Sequence, residues 1–148
     1  MSVNQIDARG EHLTVPAPIA DNGGIGPISG EPLMMGNLSR DSGGLALVAE
    51  TSYTPPGSLV PTGNISVNLI GVFALSVTAK SVLSPGTNVA IAPGDKVYAD
   101  GGTYDSVSGI TYGFTLDVNT SGYYFGNCLD TVVAGVTQYA RIRLKVAG

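Results

Sequence analysis

The sequence is poor in the residue types on which most enzymes and nucleic-acid-binding proteins depend. Its 148 residues include no tryptophan, one cysteine and one histidine. Seven lysine and arginine residues stand against eleven aspartate and glutamate residues, which gives a formal net charge of -4. Because binding to a phosphate backbone requires several clustered cations, this balance argues against nucleic acid as a partner.

Long apolar runs are also missing. No stretch of about 18 apolar residues occurs, so we expect no membrane span. The first residues, MSVNQIDARGEH, have no basic segment followed by an apolar core, and so do not resemble a signal peptide. Cys128 cannot form an internal disulfide, which fits a protein made in a reducing cytosol.

The single histidine and the single cysteine give little support for catalysis. His12 lies beside a polar segment and is interpreted as a surface residue. Cys128 lies in the strand-like run YYFGNCLD and is interpreted as a small buried thiol, since neither a base nor a helix N-terminus is near it in sequence. One histidine and one cysteine cannot form the usual metal cluster, so we expect no metal and no cofactor.

Three further patterns have simple structural interpretations. The glycine-rich loop GGIGPISG does not open a helix and carries no phosphate-binding motif. The triplet Asp-Ser-Gly at 41–43 occurs in dimeric aspartic proteases, but here it follows Asn-Leu-Ser-Arg and predicts a solvated turn. Asp95, Asp100 and Asp105 lack calcium-ligand spacing and are interpreted as turn formers. We therefore expect no catalytic residues and no enzyme activity.

Glycine and proline are abundant instead, at 21 and nine residues. No window shows the apolar period of a helix, whereas short runs of β-branched and aromatic residues alternate with turn signals. The sequence predicts an all-β fold, a small barrel or sandwich of about 8–10 short strands with long Gly/Pro-rich loops and little helix. The candidate strands are 12–18, 31–38, 45–50, the long apolar run 65–77, two within 89–100, 111–118, 123–133 and the terminal segment.

Segment 79–89 is ambiguous and could contain a short turn of helix, and 101–109 is rich in turn residues. We expect residues 1–12 to form an extended N-terminal arm and 13–148 to form a single β domain.

The last strand carries an unusual charge pattern. From Ala140 to Val146 small or apolar residues alternate with Arg141, Arg143 and Lys145, three of the seven cations in the chain. One interpretation is a half-buried edge strand, with cations pointing outward to prevent pairing with another chain. The other is a cationic strip that faces acidic groups of a neighbouring protomer or another protein.

Three segments resemble a known family, the decoration (cement or head-stabilising) proteins of tailed bacteriophages. They are SGEPLMMGNLSRDSGGLALV (29–48), IGVFALSVTAKSVLSPGTNVAIAPGDKVYAD (70–100) and FGNCLDTVVAGVTQYARIRLKVAG (125–148). The long loops at 17–30 and 52–64 and the spacer 101–122 depart from the shorter members.

The resemblance implies a small, usually trimeric β barrel or sandwich on the outer surface of the virion. There it would bind the major capsid protein and stabilise the expanded head without catalysis. A partner surface also fits the low charge content. We expect an extended arm to pair with exposed strand edges of a partner. The predicted interface residues are Val3, Ile6, Arg9, Arg141, Arg143 and Lys145.

Two alternatives stay open. One is another virion β module, such as a head fibre or a tail-associated carbohydrate-binding domain. It would require exposed aromatic residues on a concave face, for which the candidates are Tyr104, Tyr112, Tyr123 and Tyr124. The other is a small trimeric β enzyme, which would require paired acids or histidines at subunit junctions.

Overall fold

The structure, a computed structural model, describes residues 12–37, 44–51, 63–81 and 86–145. The predicted interface residues Val3, Ile6 and Arg9 and the Asp-Ser-Gly triplet at 41–43 lie outside these ranges. Within the ranges the fold is all-β, as predicted. No helix of the described part is long and apolar enough to cross a membrane.

Thirteen strands are present in the described part, more than the sequence predicted because several contain only two or three residues. They are β1 His12–Pro16, β2 Pro32–Met35, β3 Leu45–Ala49, β4 Asn64–Asn68, β5 Val72–Thr78, β6 Lys80–Ser81, β7 Thr87–Asn88, β8 Lys96–Asp100, β9 Thr103–Asp105, β10 Ile110–Tyr112, β11 Thr115–Asp117, β12 Tyr123–Cys128 and β13 Thr137–Leu144. The one helical segment there, α1 (Asp21–Gly24), is a tight turn, since Asn22 and Gly23 inside it have positive φ angles of 52° and 70°.

The strands form two main sheets. The six-stranded sheet has the order β1-β4-β3-β2-β10-β9, and the five-stranded sheet has the order β11-β8-β12-β13-β5. A separate two-stranded ribbon joins β6 and β7. All the strand pairs are antiparallel, as expected when short strands follow one another through turns.

Two apolar clusters stabilise this arrangement. The larger lies between the sheets and includes Phe114 and Phe125, whose ring centroids are 5.6 Å apart. The smaller consists of residues of the six-stranded sheet and the loops flanking it. Strands β2 and β3 contribute to both, since Met34 faces the first cluster and Leu33 the second. Burial on both faces explains why these strands are nearly continuous apolar runs rather than alternating ones.

The long apolar run 65–77 was predicted as a single buried strand, and this is wrong. The chain forms β4 in one sheet, turns at Gly71, and continues as β5 in the other sheet. Gly71 has a φ of 133°, and a Cβ there would lie 3.1 Å from the Phe73 ring. Because a side chain would be strained at this φ, glycine permits the sharp change of direction.

Two other segments differ in detail from the prediction, and a third lies partly outside the described residues. Segment 111–118 is divided into β10 and β11, which belong to different sheets. In 79–89 the β6–β7 ribbon is formed by Lys80–Ser81 and Thr87–Asn88, while residues 82–85, the part of the segment considered for a helical turn, lie outside the described ranges. The strand predicted before the Pro-Gly-Asp turn is only an isolated bridge between Ile91 and Val132.

Candidate interaction surface

The terminal strand β13 lies inside the five-stranded sheet, between β12 and β5. Its residues 137–143 pair with β5, and 142–144 pair with β12. The interpretation of this strand as a sheet edge is therefore wrong, and its arginines cannot serve to protect an edge. The true edges of this sheet are β5 and β11.

The predicted alternation of β13 is confirmed. Ala140, Ile142 and Leu144 are buried in the core between the sheets, while Arg141 and Arg143 are exposed. Lys145 follows the end of the strand and is partly buried, which lowers the pKa of its ammonium group. The predicted strip of three cations therefore consists of two exposed arginines and one half-buried lysine.

Arg141 has an ionic partner in its own chain. Its Nε and Nη2 atoms donate to Oδ1 of Asp130 at 3.0 and 2.7 Å, and its backbone N–H donates to Oδ2 at 2.8 Å. These bonds lower the pKa of Asp130 and raise that of Arg141. The pair anchors the 129–131 connection to β13, so the charge of Arg141 is balanced locally.

Arg143 is in a different position. Among the described residues it makes no ion pair, and its strand neighbours on either side are Asn127 and Val72. Lys96 lies on the other side of Asn127 from Arg143, and its Nζ atom is 5.1 Å from the ring centroid of Tyr124. Arg143 therefore presents a cation that the described part of the chain does not neutralise.

The two arginines belong to a broader exposed surface formed by the outward side chains of β5 and β13, which we call the β5–β13 face. Opposite residues pair across it, with Tyr139 beside Ser76, Arg141 beside Ala74 and Arg143 beside Val72. The face consists of Val72, Ala74, Ser76, Thr78, Thr137, Tyr139, Arg141 and Arg143. Tyr139 is 75% exposed and Val72 is 49% exposed.

A groove of about 550 Å³ continues this face beyond β5. Its walls are the free side of β5, the Phe114–Leu116 stretch leading into β11, and the loop that contains Ile28. Ile28 is 53% exposed. In the described part of the molecule β5 pairs only with β13, and it contains no lysine or proline that would hinder pairing on its other side.

Other residues considered from the sequence lie in the core, in turns or at the start of a strand. Cys128 is a buried free thiol, and burial raises its pKa, as expected for an unreactive cysteine. Asp95 and Asp105 hold turns by accepting the backbone N–H groups of Ala92 and Val107. His12 begins β1. No three potential metal-ligating acidic, histidine or cysteine side chains meet within the described ranges.

Asp100 departs from the turn-forming prediction, because it lies against Asp117 of the neighbouring strand β11. Asp117 is fully buried, and its Oδ2 atom has no hydrogen-bond partner among the described residues. Burial and the charge of Asp100 raise the pKa of Asp117 to about 6, although the N–H of Asn119 acts in the opposite direction.

A second carboxyl pair joins Asp21 and Glu31. Burial and the neighbouring carboxyl group of Asp21 raise the pKa of Glu31 to about 8, while the N–H of Ile28 lowers it. Asp21 is buried, and its Oδ2 also lacks a hydrogen-bond partner within the part of the chain that the structure describes. In both pairs the two carboxyl groups belong to this chain and are brought together by folding. Their spacing in the sequence therefore did not reveal them.

The candidate tyrosines divide into two groups. Tyr104 and Tyr123 line the same cleft at the junction of the two sheets. Tyr112 packs against the smaller core cluster, and Tyr124 lies between Lys96 and Asn127.

Comparisons of the chain with known protein families, with curated proteins and with solved structures found no match.

Proposed function

We propose that this protein is a non-catalytic structural component of a tailed-phage virion that binds the outer surface of the capsid and stabilises the expanded head. The observation that carries this proposal is the β5–β13 face, an exposed and nearly uncharged surface that continues into the groove beside β5. The family resemblance of the three sequence segments indicates the capsid as the partner.

The composition of the face suits burial against another protein. Six of its eight side chains are uncharged, and the charge of Arg141 is already balanced by Asp130. Removing such a surface from water requires little desolvation of charge, and interface cores are depleted in charged residues for this reason. Tyr139 provides a large aromatic contact of the kind that often contributes most to binding.

The free side of β5 offers a second type of contact. The backbone groups of β5 that point away from β13 border the groove opposite the Phe114–Leu116 stretch, where a short segment of a capsid subunit or of another protomer would enter. Arg143 would then fix the orientation of the complex by meeting an acidic group on the partner. Association into a homotrimer, as in the family it resembles, belongs to the same proposal.

Co-sedimentation tests the proposal. The protein is mixed with expanded, undecorated capsids assembled from the major capsid protein of the same genome, and is expected to pellet with them at a fixed stoichiometry. Light scattering coupled to size exclusion measures its own oligomeric state. Failure to pellet with either expanded or unexpanded capsids would refute the function.

Matched variants locate the contact surface. Ser76→Lys places a charge on the β5–β13 face, whereas Ser106→Lys places the same charge on an exposed turn elsewhere. We expect the first to reduce capsid binding by about tenfold or more, since a buried unpaired charge costs more than about 1.4 kcal/mol, and the second to bind normally. Arg143→Glu is expected to weaken binding as well. Equal binding by all three variants would exclude this face.

A further inference from the structure

A cleft of about 340 Å³ lies where the chain leaves β8 and enters β9, at the junction of the two sheets. Tyr104 of the six-stranded sheet lines it together with Tyr123 of the five-stranded sheet. Tyr104 is 38% exposed and therefore accessible to a ligand. The volume falls within the range of about 300–1,000 Å³ that is typical of small-molecule sites.

Glycines bring backbone to the surface of the cleft. Gly102 has a φ of 88°, and a Cβ there would lie 2.8 Å from the carbonyl oxygen of Tyr112. At Gly122 a Cβ would lie 2.6 Å from the carbonyl oxygen of Ala99. Larger residues cannot occupy these positions without displacing the neighbouring backbone, so the cleft depends on glycine at both.

The charges around the cleft disfavour anions. Asp100 is among its lining residues, and those that belong to the described ranges include no lysine, arginine or histidine. Nδ2 of Asn119 donates to Oδ2 of Asp100 at 2.8 Å and fixes the orientation of the carboxylate. Asp117, a buried residue that does not itself line the cleft, interacts with Asp100 and adds a second acidic group nearby. Phosphates, nucleotides and acidic sugars would therefore be repelled.

We propose that this cleft binds a neutral saccharide. The exposed ring of Tyr104 offers a flat apolar surface to the C–H face of a sugar ring, and Tyr123, which packs partly against the larger core cluster, lines the cleft beside it. Asp100 can accept two neighbouring sugar hydroxyls, and Asn37 and Ser121 also line the cleft. A small organic cation would also suit tyrosine and carboxylate, but the surrounding amide, hydroxyl and backbone groups match a ligand with many hydroxyls better.

Titration monitored by NMR tests this inference independently of capsid binding. The labelled full-length protein is titrated with neutral oligosaccharides (cellobiose, maltose, lactose and chitobiose) at millimolar concentrations, with choline and N-acetylneuraminic acid as cationic and anionic probes. The backbone amides of Gly101, Gly102 and Gly122 report on the cleft. We expect at least one neutral oligosaccharide to shift these signals in a saturable manner and the anion to leave them unchanged.

Two tyrosine variants distinguish binding in the cleft from nonspecific binding to exposed aromatic rings. Tyr104→Ala removes the more exposed ring of the cleft, whereas Tyr139→Ala removes an even more exposed ring on the β5–β13 face. We expect Tyr104→Ala to weaken saccharide binding by about tenfold and Tyr139→Ala to bind as the unaltered protein does. Saturation by choline alone, no saturable shift with any neutral oligosaccharide, or equal effects of the two variants would overturn the proposal.

Discussion

Replacing Asp117 by asparagine is expected to stabilise the protein at alkaline pH, which is unusual for a substitution at a fully buried position. Oδ1 of Asp117 accepts the N–H of Asn119 at 2.9 Å, but no described residue bonds to Oδ2, and the carboxylate lies close to Asp100. An asparagine keeps the first bond through its own Oδ1. Its amide nitrogen replaces the unpartnered oxygen and can donate to Asp100.

The magnitude follows from the pKa. Burial, with a contribution from Asp100, raises the pKa of Asp117 from 3.8 to about 6. Since each pKa unit corresponds to about 1.36 kcal/mol, ionised Asp117 lowers the free energy of unfolding by about 3 kcal/mol above pH 6. The penalty disappears as pH falls from about 6 towards 3.8, because the folded protein then binds a proton that the unfolded chain does not.

Urea unfolding of both proteins between pH 4 and pH 8 measures the effect. Asp117→Asn should be more stable by up to about 3 kcal/mol at pH 8, and the difference should approach zero near pH 4. Asp95→Asn is the control, since it makes the same change in net charge at an exposed turn. A difference that does not vary with pH, a less stable Asp117→Asn protein at pH 8, or equal stabilisation by the control would refute the reasoning.

Three further predictions concern stability. Because the pKa of Glu31 is raised, the free energy of unfolding should fall as the pH rises from 4.5 to about 8. Glu31→Gln, whose amide can still donate to Asp21, should flatten this dependence in urea titrations above pH 6. An unchanged slope of the free energy of unfolding against pH would contradict the pairing. Gly126→Ala places a Cβ 2.2 Å from the carbonyl oxygen of Arg143, so thermal unfolding should show a large loss of stability, and a melting temperature equal to that of the unaltered protein would refute the close approach. Ile142→Ala should cost about 2–5 kcal/mol and Ile142→Val about 1 kcal/mol in chemical unfolding; equal losses would mean that the residue is not tightly packed.

Local patterns in the sequence account for the fold class and for the two faces of the last strand. Alternation with a period of two places Ala140, Ile142 and Leu144 on one side of β13 and Arg141 and Arg143 on the other, because successive side chains of any strand point to opposite faces. Glycine, proline and the absence of a helical period likewise predicted short strands. These features depend on neighbouring residues only.

Strand pairing was decided by tertiary structure. The alternating pattern of β13 does not identify its neighbours, and the prediction of an edge failed because β5 pairs with its second side. The continuous apolar run 65–77 did not reveal that Gly71 divides it between two sheets. A buried strand and a pair of strands meeting at a turn can have the same composition, and long-range packing distinguishes them.

The candidate sites likewise depend on contacts between residues distant in sequence. Turns and strands bring separate segments together to form each of them. They are the Arg141–Asp130 ion pair, the Asp100–Asp117 and Asp21–Glu31 carboxyl pairs, and the cleft lined by Tyr104 and Tyr123. The sequence alone determined an all-β, charge-poor chain with a two-faced terminal strand. Tertiary structure decided which cation is left unpaired among the described residues, which strands form the ends of the sheets and which tyrosines line the same cleft, because each of these depends on how separate strands pair and pack and not on the order of residues within one.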